Sequence, residues 1–240
     1  MSFERYFYIL ENKEHNLLNK MIEDLDKKQK ILLITTSNRW EKSEDIPKST
    51  LVAQYIQNKL AGKCTLIDAS KLKIYDCEGN VSDHSKGYHC GTKEAILKDK
   101  NMNPTGCHRC WASVNHKDDE LWKISKALLE SNAVIFFGSV RWGQANAVYS
   151  RLLERLTWLE SRHTTLKENN VLKNIQAGVV FVGQNWNGET VLNTQKQVLK
   201  FFGFDVPDSL SWNWQYTKNA KDETKESYAD AYPTFKKKVL

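Results

Sequence analysis

The sequence is poor in the residues that divide a chain into units or cross-link it. Of 240 residues only four are proline and eleven are glycine, and neither a Pro-, Gly- or Ser-rich linker nor a repeat of fixed period interrupts them. The five cysteines are an odd number, which argues against a disulfide framework. At 40% hydrophobic and 27% charged residues, the composition is that of a globular protein. We therefore expect one domain over residues 1–240, with reduced cysteines.

Long hydrophobic runs are also missing. The uncharged stretch 177–188 is too short and too polar to cross a bilayer. Glu4 and Arg5 stand where a signal peptide would need its apolar core. The formal net charge of +6 comes from scattered lysines, as at 27–30 and 236–238, which are typical of solvated helix faces. We expect a cytoplasmic protein whose partners include neither a membrane nor a nucleic acid.

The signatures of several common enzyme sites are absent as well. Gly138 and Gly143 have the spacing of a P-loop, but Gln144 and Ala145 stand where that motif needs Lys and Ser or Thr. No G-x-G-x-x-G follows the first apolar run, and no G-x-S-x-G occurs. P-loop nucleotidases, dinucleotide-binding Rossmann enzymes and serine hydrolases with a nucleophile elbow are thereby disfavoured.

What is present is an alternation of short apolar strands and amphipathic helices. Buried strands are predicted at residues 30–36, 63–68, 133–139 and 177–183, and alternation at 210–216 predicts a fifth strand at an exposed edge. Helices are predicted between them at 49–60, 118–130, 146–159 and 189–202, the first with Ser49 or Thr50 as its N-cap. This order predicts an α/β fold, a doubly wound parallel sheet with right-handed crossovers and helices on both faces.

Three further segments decorate the predicted core, which spans residues 30–216. Residues 1–29 form an N-terminal helical extension, since 3–26 carry a mostly helical apolar stripe. Residues 74–116 form a long insertion between strands 2 and 3. Residues 217–240 are expected to be a C-terminal helix.

The loop after the first strand has the composition of an anion site. In a doubly wound sheet, ligands bind at the carboxyl ends of the strands. Residues 35–50 carry hydroxyls, an amide and a guanidinium there and lead into a helix N-terminus, where backbone N–H groups and the helix dipole favour a phosphate. The alternative is a polar loop with an ordinary N-cap. The candidate phosphate-binding residues are Thr36, Ser37, Asn38, Arg39, Ser49 and Thr50.

The loops after the third and fourth strands favour a flat ligand. Each places a tryptophan among amides and glycines at the mouth of the sheet, which suits a planar heteroaromatic ring. Trp142 is alternatively a core or dimer-contact aromatic. A phosphate site without a Walker lysine, beside a slot for a planar ring, indicates FMN. The candidate ring-binding residues are Ser139, Val140, Arg141, Trp142, Gly143, Gly183, Gln184, Asn185 and Trp186.

Three segments resemble one enzyme family. SNAVIFFGSVRWGQANAVYSRLLERLTWL at 131–159, TTSNR at 35–39 with the Ser-Thr helix start, and the strand-4 segment from Ala177 are similar to the flavodoxin-like NAD(P)H-dependent FMN reductases and the related iron–sulfur flavoproteins. The resemblance covers about residues 30–216 and implies the flavodoxin strand order 2-1-3-4-5. This chain has Val140-Arg141-Trp142 where the family has a Pro-x-Tyr region, and Glu154-Arg155 where it ends in Asp-Arg.

The resemblance implies an activity and a set of contacts. The chain would be an FMN-binding oxidoreductase that takes hydride from NADH or NADPH and passes electrons to a quinone, a flavin or another small acceptor. Ser37 and Arg39 would hold the FMN phosphate, the 140–143 turn would contact the isoalloxazine, and residues 184–186 would flank its other edge. No catalytic acid or base is required, because N5 of the flavin takes the hydride.

The insertion carries Cys77, Cys90, Cys107 and Cys110 with four histidines. Cys107 and Cys110 have the C-x-x-C spacing of a metal or dithiol site. The gaps of twelve and sixteen residues before them are irregular, so we expect a surface loop with unpaired thiols, exposed histidines and no metal. A zinc site and an iron–sulfur cluster are the alternatives.

Two other functions remain open, a flavodoxin-type electron carrier and a non-enzymatic interaction protein built on the flavin fold. Flavodoxins are strongly acidic, and the charge of +6 disfavours the carrier. Eight tryptophans are many for one small core. We expect Trp142, Trp186, Trp212 and Trp214 to be exposed and, with the N-terminal extension, to form a homodimer with the flavin near its interface.

Overall fold

A computed structural model describes residues 12–39, 46–80, 88–183 and 186–215. Its helices are α1 (Asn12–Asp26), α2 (Lys48–Lys59), α3 (Trp111–Asn115), α4 (Leu121–Leu129), α5 (Ala147–Thr164) and α6 (Gly188–Phe202). Its strands are β1 (Ile31–Thr35), β2 (Cys64–Asp68), β3 (Ala133–Arg141), β4 (Gln144–Ala145), β5 (Gln176–Gly183) and β6 (Trp212–Gln215). The predicted helix at 217–240 and the start of the N-terminal extension lie outside the described residues.

Five strands form a parallel sheet in the order β2-β1-β3-β5-β6. Ile31 of β1 lies opposite Cys64 of β2 on one side and Ala133 of β3 on the other, and Ala133 is in turn paired with Gln176 of β5. β4 is additional to the prediction and pairs antiparallel with the end of β3. The doubly wound α/β prediction and the order 2-1-3-4-5 of its five strands are confirmed.

Helices cover both faces of this sheet. Leu32 and Ile34 of β1 belong to the apolar cluster that holds the buried side chains of α4, α5 and α6. Ile31 and Leu33 point the other way, into the cluster formed by α1 and α2. Strands buried on both faces explain why their sequences are continuously apolar rather than alternating.

Two details of the predicted elements are wrong. α2 begins at Lys48, with Pro47 as its N-cap at φ −55° and ψ 138° and no side-chain capping hydrogen bond. Neither Ser49 nor Thr50 is therefore the N-cap. β6 is not an exposed edge either: Trp212 and Trp214 are buried in one cluster with the apolar side of α1, which covers this part of the sheet.

The insertion is also more ordered than a surface loop. Its second half contains α3, and Ile74, Cys90, Cys110 and Ala112 are buried in the cluster beneath α4 and α5. Residues 81–87, which include His84, lie outside the described part of the chain. Among the described residues, no helix combines the length and apolarity that a membrane crossing demands.

Candidate functional site

The carboxyl ends of β1, β3 and β5 are neighbours at one edge of the sheet, so the loops that follow them lie side by side. The parallel register places Thr35 beside Phe137, and Ser139 beside Val182. This brings the start of the candidate phosphate loop next to the two candidate ring loops. Gln184 and Asn185 lie outside the described residues, as do residues 40–45 of the first loop.

The hydroxyls of the first loop fall into two groups. Thr36 is fully buried and its hydroxyl donates to the carbonyl oxygen of Phe137 at 2.9 Å, so it holds the loop against β3. Ser49 at the start of α2 donates to the Ser37 oxygen at 2.8 Å, which leaves the proton of Ser37 available to a ligand. Thr50 is 8% exposed, and its hydroxyl has no partner among the described residues. Ser37, Ser49 and Thr50 therefore fit an anion at the helix N-terminus better than Thr36 does.

Asn146 joins the first loop to the loop after β3, and sequence analysis missed it. The residue is buried at the start of α5, and its Nδ2 donates to the Thr36 carbonyl oxygen at 2.9 Å. Its Oδ1 accepts from the Ser139 backbone N–H at 2.9 Å. The Ser139 amide is therefore already used, whereas the buried Ser139 hydroxyl has no partner among the described residues. An asparagine at the first residue of the predicted helix 146–159 is the available signal, but it is typical of an N-cap.

The loop after β3 is a two-residue hairpin turn with a strained tip. Arg141 pairs with Gln144, and the two residues between them have positive φ, 50° at Trp142 and 69° at Gly143. Positive φ at both positions is what a type I′ turn requires, and it is uncommon for a bulky side chain. Trp142 is nevertheless 94% exposed, so packing within the described fold does not compensate for its strain.

The loop after β5 contacts this hairpin. Asn187, itself at φ 61°, donates from Nδ2 to the Gly143 carbonyl oxygen at 2.7 Å. A Cβ at Gly143 would lie 2.7 Å from the indole of Trp186, so only glycine allows this approach. Trp186 is 54% exposed, and Val140 packs beside Gly183. The two candidate ring loops therefore form one surface that presents two exposed indoles.

The structure brings some of the predicted site residues together and leaves others apart. The loop-end residues that the structure brings to the same sheet edge are Thr36, Ser37, Ser49, Thr50, Ser139, Val140, Gly143, Gly183 and Trp186. Trp142 stands out from this surface at the tip of its turn, and Arg141 beside it is exposed. Asn38 is exposed and Arg39 is half-buried at the end of the described part of the first loop. The expected exposure of Trp212 and Trp214 is wrong, which leaves Trp142 and Trp186 as the exposed pair.

A buried ion pair fixes the helix that leads away from the site. Arg155 of α5 binds the Asp119 carboxylate through both terminal nitrogens, at 2.8 and 2.9 Å, and donates to the Tyr75 carbonyl oxygen and the Ser113 hydroxyl. Burial alone would raise the pKa of Asp119, but hydrogen bonds from Arg155 and Ser113 hold it below its usual range. Arg155 therefore ties α5 to the insertion and does not face the ligand loops.

The described cysteines and histidines of the insertion, which exclude His84, do not meet as metal ligands. Within residues 12–39, 46–80, 88–183 and 186–215, no three side chains of His, Cys, Asp or Glu come together as a metal site. Burial raises the pKa of Cys90, and Cys110 lies 3.5 Å from a guanidinium nitrogen of Arg155. The expectation of exposed histidines is wrong for His108, which is buried against Trp158 with a ring separation of 5.1 Å.

Comparison with known proteins locates the fold but assigns no sequence family. No family model matches the chain, and none of the curated proteins matches it. Among solved structures, RosB with bound 8-demethyl-8-formylriboflavin-5'-phosphate matches at 16% identity and a TM-score of 0.54, covering 84% of this chain and 70% of that one. The azoreductase from Bacillus anthracis str. Sterne matches at 10% identity and a TM-score of 0.51, covering 87% of this chain and 97% of that one. The chain therefore has the flavodoxin-like α/β fold of these proteins, as its sequence resemblance implies.

Proposed function

We propose that the chain is an FMN-dependent oxidoreductase that oxidises NADH or NADPH and reduces a quinone, a flavin or another small acceptor. The observation that carries the proposal is the end of the sheet where three loops converge. There the buried hydroxyls of Thr50 and Ser139 have no partner within the described residues, and Trp142 is strained and exposed. The likeness in fold supports it, since RosB holds a riboflavin-5'-phosphate derivative and the other neighbour is an azoreductase.

The residues at this edge fit a phosphate-bearing flavin. Ser37 and Thr50 would donate to the phosphate beside the N-terminus of α2, where the helix dipole adds to the attraction. Ser139 would offer its hydroxyl to the ring system, because its amide is already bound to Asn146. FMN supplies the hydride and electron-transfer chemistry, so the chain needs no acid or base of its own.

Two exposed indoles would handle the planar parts of the reactants. The hairpin turn and the Asn187 to Gly143 hydrogen bond join the two loops that carry Trp142 and Trp186. Flat rings stack on such side chains with little loss of conformational freedom. We assign them to orienting the flavin, the nicotinamide or the acceptor, and we propose that their exposure also places the site near the interface of a cytoplasmic homodimer.

The test begins with the absorbance spectrum of the purified protein between 300 and 600 nm and identification of any released chromophore. We expect flavin bands, released as FMN, and oxidation of NADH or NADPH that depends on added quinone. Bound FMN without pyridine-nucleotide oxidation would make the chain an electron carrier. A colourless protein that fails to bind added FMN would refute the flavin proposal and favour an interaction protein.

A matched pair of variants tests the phosphate site. Thr50 and Thr92 are equally buried, at 8% exposure, and both have hydroxyls without partners among the described residues, but Thr92 lies in the insertion. Thr50→Val removes a hydrogen bond to a charged group, so we expect its Kd for FMN to rise about tenfold or more. Thr92→Val should leave that Kd unchanged. Equal effects of the two substitutions on the Kd would contradict the assignment of Thr50.

A further inference from the structure

A second cavity lies at the opposite end of the sheet. It has a volume of about 450 Å³ and opens between the first residues of β1 and β2 and the side of α4. β2 is the edge strand of the sheet in the described part of the chain, and no further strand there closes the cavity on that side. Its volume is within the range of small-molecule sites.

The lining of this cavity is positively charged. Four lysines and one glutamate, Glu130, contribute to it, a formal charge of +3. Lys63 is paired with Asp26 at 2.5 Å, and Lys123 is paired with Glu120, the N-cap of its helix. Lys30 and Lys126 line the same cavity, and neither has an ion-pair partner among the residues that the structure describes. Two ammonium groups are therefore available to an anion.

The wall formed by α4 is aromatic. Trp122 is half-buried, lines the cavity and carries the ammonium group of Lys123 at 5.8 Å from its ring centroid. Ile67 and Ala127 line the cavity beside it. Two backbone N–H groups at this end are already bonded, that of Lys30 to the Asn132 side chain and that of Ile31 to the Lys63 carbonyl oxygen. The side chains suited to a ligand are Trp122 for a ring and the lysines for an anion.

We propose that this cavity is a binding site for a small aromatic anion, a planar ring that carries a phosphate or a carboxylate. The ring packs against Trp122, and the anionic group lies between Lys30 and Lys126. The site is distinct from the proposed flavin site, because the five residues of β1 separate the two ends of the sheet by about 13 Å. The proposal therefore stands whether or not the chain binds FMN.

The test is calorimetric titration of the full chain, saturated with FMN so that the flavin site does not compete, or as purified if it binds none. Adenosine monophosphate and 1-naphthoate are the two probes, and they distinguish a phosphate from a carboxylate as the anionic group. Adenosine and inorganic phosphate are the controls that lack the charge or the ring. We expect one probe to bind at least tenfold more tightly than either control.

Two substitutions test whether the probe binds in this cavity. Lys126→Gln and Trp122→Leu should each raise the Kd of the tighter-binding probe about tenfold. The conservative Lys126→Arg and Trp122→Phe should retain most of the affinity. Lys20→Gln, on the exposed face of α1, is the matched control and should change nothing. Absence of binding by both probes, adenosine or phosphate binding as tightly as the probe, or affinities unchanged by Lys126→Gln and Trp122→Leu would each overturn the proposal.

Discussion

Acidification should destabilise the protein through one buried histidine of the insertion. His108 is 2% exposed, and neither ring nitrogen has a hydrogen-bond partner among the described residues. The pKa of His108 is lowered from its usual 6.5 to about 4, chiefly by burial; the Asp119 carboxylate opposes this shift and the Arg155 guanidinium contributes to it. The folded protein therefore holds His108 neutral at a pH at which the unfolded chain already protonates it.

The sign and the magnitude of the effect follow from this difference in pKa. Because the unfolded state binds the proton first, the stabilising contribution is complete above pH 6.5 and is lost as the pH falls towards 4. Between pH 7 and pH 5 the loss in the free energy of unfolding is about 2 kcal/mol. Asp119 and Glu168 stay ionised in this window, since hydrogen bonds from arginines hold their pKa values below the usual range against the effect of burial.

The assay is urea unfolding at pH 5, 6 and 7 for the wild type and His108→Met. Methionine is apolar and adaptable, and the imidazole has no hydrogen bond to lose, so the variant should fold. We expect its stability to fall by about 2 kcal/mol less than that of the wild type over this range. His116→Gln replaces a partly exposed histidine of the same insertion and is the comparison variant. A His108→Met variant with the full wild-type decline would refute the reasoning.

Three further substitutions test the packing and the strained turn. Arg155→Leu leaves the Asp119 carboxylate buried and unpaired, so the free energy of unfolding in urea should fall by about 3–5 kcal/mol, and less in the double variant with Asp119→Leu. Gly178→Ala places a Cβ 1.8 Å from the Leu210 carbonyl oxygen, so thermal unfolding should show a free energy of unfolding lower by at least about 2 kcal/mol. An unchanged melting temperature would contradict the close approach. Trp142→Gly relieves the strain of a positive φ, so the free energy of unfolding should rise by about 1 kcal/mol while the proposed quinone-reductase activity falls. An unchanged turnover rate would show that Trp142 does not act in the site.

The sheet could be predicted because its signals are local. β1 is continuously apolar from Ile31 to Ile34 and β3 from Ala133 to Gly138, and each is separated from the next strand of the parallel sheet by enough chain for a crossover helix. A buried strand between two helical layers leaves few other arrangements. The prediction failed for β6, since the alternation of Trp212 and Trp214 with polar residues reads as an open edge unless the position of α1 is known.

The sequence predicts where the site lies but not the hydrogen bonds within it. Strand ends identify the loops, whereas the hydrogen bonds that decide which hydroxyls remain available are long-range. Asn146 bonds Thr36 across 110 residues, so nothing in either segment reveals the pairing. The order of the insertion could not be predicted either, because the buried Arg155–Asp119 pair that ties it to α5 is a long-range contact. The irregular spacing of its cysteines also carries no period.

The turn at Trp142 shows how a broken local rule can point to function. In the sequence RWGQ, the glycine at the second turn position suits a type I′ hairpin, but the first position is best filled by Asn, Asp or Gly. Tryptophan there costs on the order of 1–2 kcal/mol, and an indole that is 94% exposed recovers little of this by packing within the described fold. Natural sequences keep such local conflicts chiefly where a functional gain offsets them. Trp142 lies at the carboxyl end of the sheet, near hydroxyls that have no partner among the described residues, and we infer that this gain comes from contact with a bound planar molecule.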